Sequence, residues 1–76
     1  MQIAQGIIID AEIKGGRPIV AGTRVPVSLV LDKLSAGATY EDLAFEYDLE
    51  TSQIQDVLRY AAQVISNEEI RNPILK

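Results

Sequence analysis

The chain has 76 residues, enough for one small domain. It contains no cysteine and no histidine, which removes a disulfide framework, a thiolate zinc site, the commonest metal ligand and the commonest general base. Seven Lys and Arg against eleven Asp and Glu leave a net charge of −4, which counts against nonspecific nucleic-acid binding but leaves room for a local basic patch.

An enzyme would have to run on Asp, Glu, Lys, Tyr, Ser or Thr, so neither catalysis nor a cofactor is expected. The abundance of Ile, Val, Leu and Ala predicts a packed core rather than disorder. A domain of this size buries only ~60% of its unfolded surface, so dimerisation is the simplest added support. No apolar run reaches membrane-spanning length. Met1 leads into Gln2-Ile3-Ala4-Gln5, without the basic start of a signal peptide, and a cytoplasmic protein is expected.

Residues 7–13 place Ile7, Ile9, Ala11 and Ile13 on one face at period two, which predicts a half-buried strand. Lys14-Gly15-Gly16 offers a turn. Ile19-Val20 follows as a short partner strand, kept to an edge because Pro18 cannot donate to a ladder. The first strand can pair within the monomer or across a dimer. From Val27 the period changes: Val27, Val30, Leu31 and Leu34 form one helical stripe, with Pro26 and Ser28 as start signals and Gly37 as a stop. Thr39 with Asp42 three positions on approximates a capping box for a second helix at about 40–47, with Leu43, Ala44 and Tyr47 as its buried candidates. Asp48-Leu49-Glu50 interrupts, and a third helix runs from about Thr51 to Ser66, with Ile54, Val57, Leu58, Ala61 and Val64 or Ile65 as its apolar face. The domain thus divides into a β element and turn (1–26), a helical core (27–66) and a tail (67–76) that Pro73 keeps from being wholly helical.

A short helix, a three-residue break and a longer helix match the helix-turn-helix pattern, in which the second helix enters the major groove N-terminus first. Thr51, Ser52, Gln53 and Gln55 are residue types that reach base edges, and Arg59 suits a phosphate or a guanine. A plain three-helix core with a solvated polar face fits the same pattern. Residues Gly15–Val27 hold three glycines, two prolines and two arginines. They read as a phosphate loop, as a basic wing using Arg17 and Arg24, or as a structural turn whose arginines pair with carboxylates; the glycine spacing fits neither dinucleotide nor P-loop patterns. Asp42 and Glu46 stand four apart, a spacing open to a divalent ion, but a solvated acidic face is the expectation and no metal site is assigned. In the tail, Ile70, Ile74 and Leu75 on a polar background either dock into a partner or pack back on the domain.

Gly16-Arg17-Pro18-Ile19-Val20-Ala21-Gly22-Thr23-Arg24-Val25-Pro26-Val27 resembles the signature Gly-Arg-Pro-x-Ile-x-Gly-Thr-Arg-Ile-Pro-Val of the bacterial and archaeal family called domain of unknown function 433. The likeness continues through Leu34-Ser35-Ala36-Gly37, Tyr47-Asp48-Leu49 and Ile54 to Ala61. It implies a mainly α fold, a homeodomain-like three-helix helix-turn-helix core preceded by a short β-hairpin or strand. It also implies the antitoxin of a type II toxin–antitoxin pair, which binds a PIN-like ribonuclease toxin and, as a homodimer, represses its own operator DNA. On that reading Thr51, Ser52, Gln53, Gln55 and Arg59 would face DNA, with Arg17, Arg24 and Lys33 on phosphates. Glu68, Glu69, Ile70, Ile74 and Leu75 would contact the toxin. A protein-interaction module without DNA binding is the alternative. The chain departs from the family at two places: Glu50 stands where Ser or Thr is common after the leucine, and Asp48 where Pro is common.

Overall fold

In a computed structural model, the chain is described over residues 1–71, with side chains described as far as Asn67. Three short strands lead into three helices: β1 (Gln2–Ala4), β2 (Ile7–Ile8), β3 (Ile19–Val20), α1 (Val27–Ser35), α2 (Tyr40–Tyr47) and α3 (Thr51–Arg71). The sheet is antiparallel in the order β1-β2-β3, with Ile7 opposite Val20 and Ile8 opposite Ile19. β2 lies in the middle, paired with β1 on one side and β3 on the other, and β3 takes the edge.

The strand expected over residues 7–13 stops at Ile8. The cause is Asp10, whose Oδ1 accepts the Glu12 N–H at 2.9 Å while its carbonyl accepts from Ile13 at 2.9 Å. This Asx-type turn competes with the ladder and overrides the period-two pattern. β1 has no counterpart in the expected elements. Its hairpin turns at Gly6, with φ 75°, and the Gly6 carbonyl accepts from Ala21 N–H at 2.9 Å.

After β3 the chain reverses tightly. Thr23 N–H donates to the Val20 carbonyl at 3.1 Å, and Gly22 takes φ 80° at the third position, where a type II turn needs glycine. The Thr23 hydroxyl donates to the Val20 carbonyl at 2.8 Å and accepts from Val25 N–H at 3.0 Å. Pro26 then bridges back to Ile19, and Val27 N–H donates to the Pro18 carbonyl at 3.0 Å. Gly22 therefore makes the β-turn, and the pairing of Pro18 and Ile19 with Pro26 and Val27 aims α1.

The capping box of α2 is complete: Thr39 Oγ1 accepts from Asp42 N–H at 3.0 Å, and Asp42 Oδ2 accepts from Thr39 N–H at 2.9 Å. The helix ends on Asp48 at φ 59°, ψ 38°. Aspartate tolerates this left-handed cap; a proline here would not, because its ring fixes φ near −65°. Ala44, expected to be buried, is exposed, while Leu43 is fully buried and Tyr47 half-buried.

The core gathers Ile7, Val20, Val27, Val30, Leu43, Leu49, Ile54 and Val57. α3 closes it, packing on α1, α2 and β2. The apolar face expected for α3 divides: Ile54 and Val57 are fully buried, whereas Leu58, Val64 and Ile65 are exposed. The helix also continues past Ser66 to Arg71, so its second half projects beyond the domain that its first half closes.

Candidate functional site

The turn between α2 and α3 is built from two caps. Leu49 is buried between them and fixes the turn to the core. The Glu50 carbonyl accepts from Gln53 and Ile54 N–H at 3.0 and 3.1 Å, and Glu50 N–H donates to Gln53 Oε1 at 2.8 Å. Gln53 thus supplies from inside the helix half of the capping box that Glu50 itself lacks the short side chain to complete.

The signature turn lies against this junction. Thr23 and Arg24 line one wall of a surface groove of about 660 Å³, and Tyr47, Asp48, Glu50 and Gln53 line the other. Arg24, exposed on this wall, therefore flanks the start of α3. Thr51, Ser52 and Gln55 are exposed on the first turns of that helix. Arg24 shares its groove with Gln53, Asp48 and Glu50, while Thr51, Ser52 and Gln55 are exposed on other faces of the same first turns.

The other expected cations are dispersed. Arg17 lies in a groove with Pro18, Ser28 and Leu31, and Lys33 in one with Gly37, Asp42 and Phe45. Arg59 pairs with Asp56 on its own helix at 2.7 Å. That is the only ion pair among the described residues, so the alternative in which Arg17 and Arg24 are tied to carboxylates gains no support there. The expected toxin contacts Ile74 and Leu75, and the side chains of Glu68, Glu69 and Ile70, lie outside the described residues.

Sequence reasoning missed Phe45, which is 92% exposed on α2. Its neighbours Glu41, Asp42 and Glu46 are exposed, as are Asp48 and Glu50 in the turn. The signal was present in the helical period: Phe45 is two residues from both Leu43 and Tyr47, which places it on the opposite face.

These features define a small, mainly helical domain fronted by a three-stranded antiparallel sheet, with a signature turn set against a helix junction. The chain belongs to the family described as "Protein of unknown function (DUF433)", whose model matches residues 7–61. No curated protein and no solved structure matches the chain. Among the described residues, no helix is long and apolar enough to cross a membrane.

Proposed function

We propose that the chain is the antitoxin of a type II toxin–antitoxin pair, binding a PIN-like ribonuclease toxin and repressing its own operator as a homodimer. α2, the Asp48–Glu50 turn and α3 act as a homeodomain-like helix-turn-helix. The observation that carries the DNA-binding half is Arg24 beside the exposed first turns of α3. A phosphate-positioning cation next to base-reaching side chains is what groove recognition needs. Thr51, Ser52 and Gln55 read bases and Arg24 holds a phosphate. Gln53 caps the helix, and Arg59 meets DNA through the guanidinium donors that Asp56 leaves free. Arg17 and Lys33, which line other grooves, are the candidates for further phosphate contacts. The toxin half rests on the family likeness and on the apolar tail with Glu68 and Glu69.

A shift assay on DNA upstream of the chain's own gene tests the reading. Gln55→Ala should weaken the specific site more than random DNA, whereas Arg24→Ala should weaken both and lower the salt slope by about one. Absence of specific binding at low salt, by the free protein and by its toxin complex, would remove the repressor role. Growth rescue on co-expression with the neighbouring gene tests neutralisation. Full rescue by a chain lacking residues 67–76 would move the toxin contact elsewhere.

A second reading is favoured by the exposed carboxylates Glu41, Asp42, Glu46, Asp48 and Glu50 around Phe45. They repel phosphate and suit a basic protein surface, as an interaction module without DNA binding would require. In the shift assay this reading requires no specific band, with rescue intact and lost in Phe45→Ala.

A further inference from the structure

The apolar stripe of α3 starts in the core and runs out of it. Ile54 and Val57 are fully buried, yet Leu58 is 38% and Ile65 53% exposed on the same helix. Leu58, Ala61, Ala62 and Ile65 stand at i, i+3, i+4 and i+7, so they share one face of the projecting half. Leu58, Ala62 and Ile65 are all exposed, Leu58 the least of the exposed large hydrophobics beyond Val57.

We propose that this face binds a second copy of the chain, with α3 crossing its partner α3 antiparallel at Ala61 and Ala62. The inference takes the homodimer from the reading above and locates it; it requires neither DNA nor toxin. Two observations choose a second copy as the occupant, and a third sets how tightly it binds.

The first is self-complementarity. A two-fold interface must pair a patch with itself. Leu58-x-x-Ala61-Ala62-x-x-Ile65 is a palindrome of large and small apolar residues about the 61–62 midpoint, and an antiparallel two-fold through that midpoint sets Leu58 opposite Ile65 and Ala61 opposite Ala62. Crossed helices diverge from their closest point. Alanines at the crossing let the backbones approach, and the larger Leu58 and Ile65 fill the widening gap on each side.

The second is charge. Two copies of a chain with net charge −4 repel wherever carboxylates meet. Residues 57–67 contain no Asp or Glu. Their single charge, Arg59, is already held by Asp56 at 2.7 Å. The exposed face of α2, with Glu41, Asp42 and Glu46 around Phe45, is excluded as a self-contact on the same ground.

The third is area. A stable interface buries about 800 Å² per partner. Leu58 to Arg71 rises only about 20 Å of helix. One such crossing falls at the low end of interfaces, so the dimer should form and dissociate with concentration.

Sedimentation velocity of the full chain over a concentration series is the test. The expected result is a shift from 8.3 kDa toward twice that mass as concentration rises. Ile65→Asp and Leu58→Asp should weaken association by roughly tenfold or more, because each would bury an unpaired charge. Their circular dichroism should match the parent, and Phe45→Asp should leave association unchanged. Because the chain has no cysteine, Ala62→Cys adds a second readout: oxidation should give a disulfide-linked dimer, and Ser35→Cys should not. A chain that stays monomeric at the highest concentration overturns the proposal, as does Ile65→Asp associating like the parent. Dimerisation that appears only after residues 72–76 are removed also overturns it, because the tail would then be the natural occupant. A dimer that shifts no DNA leaves this inference standing and defeats the repressor reading; a monomer that shifts DNA does the reverse.

Discussion

The two halves of α3 belong to one unbroken helix but obey different constraints. From Thr51 to Val57 the helix is rooted: Gln53 caps its start, and Ile54 and Val57 are sealed against α1, α2 and β2. Tyr60 still packs against the core, but beyond it the same apolar period runs outward, and Val64 and Ile65 reach solvent. Periodicity sets which face of a helix is apolar. It does not set how far along the helix a partner exists to cover that face.

The largest test of that contrast is a matched pair of truncations. Ile54→Ala removes a fully buried side chain at the centre of the core and should cost about 2–5 kcal/mol, the range for large-to-small changes that leave a cavity. Ile65→Ala removes the same atoms from a half-exposed position and should cost under about 0.5 kcal/mol in dilute monomer. Urea unfolding at low protein concentration measures both. Equal losses would mean that the projecting half is covered by its own chain.

The next test concerns how the rooted half is held from outside. Gly6, in the hairpin between β1 and β2, takes φ 75° and lies against Asp56 of α3. A Cβ on residue 6 would meet the Asp56 carboxylate and stand 2.9 Å from Asp56 Cβ, an atom fixed to the helix. Gly6→Ala combines a disfavoured backbone region with this clash and should destabilise by about 1–3 kcal/mol. In Gly6→Ala with Asp56→Ala the carboxylate contact is removed but the Cβ contact stays, so part of the loss should return, leaving the backbone term and the Cβ contact. No recovery in the double variant would assign the effect to φ and the remaining Cβ contact rather than to the carboxylate.

The contrast also explains which parts were legible in the sequence. α1 and α2 were readable because their signals are local: the stripe Val27, Val30, Leu31 and Leu34, and the Thr39–Asp42 box, act within a few residues. The pairing of Ile7-Ile8 with Ile19-Val20 was readable from its period and from Pro18. Strand length was not, because the Asp10 turn that ends β2 competes with alternation rather than breaking it visibly. β1 escaped because three residues carry almost no period. In the candidate site, the exposure of Thr51, Ser52 and Gln55 followed from the helix start. The approach of Arg24 to that start is a long-range contact between segments more than twenty residues apart, which no local pattern encodes. Gln53 shows the same limit at short range. Its residue type suits a base edge and a helix cap equally, and only the 2.8 Å bond from Glu50 N–H separates the two.

That bond gives the smallest predicted effect, and the one that best distinguishes fold from function at the start of α3. If Gln53 is a cap, Gln53→Ala frees the Glu50 N–H and should cost about 1 kcal/mol of stability, within the range for lost helix caps. Gln53→Glu keeps an acceptor at the same place and adds a negative charge near the helix N-terminus, where the dipole favours it. It should therefore match or slightly exceed the parent in stability. A base-reading residue responds in the opposite way: stability is unmoved in both variants, and a carboxylate facing phosphates weakens DNA binding far more than alanine does. Thermal unfolding of the three proteins at low salt separates these patterns. Parent-like stability in Gln53→Ala would take Gln53 out of the fold and return it to the surface that Thr51, Ser52 and Gln55 present.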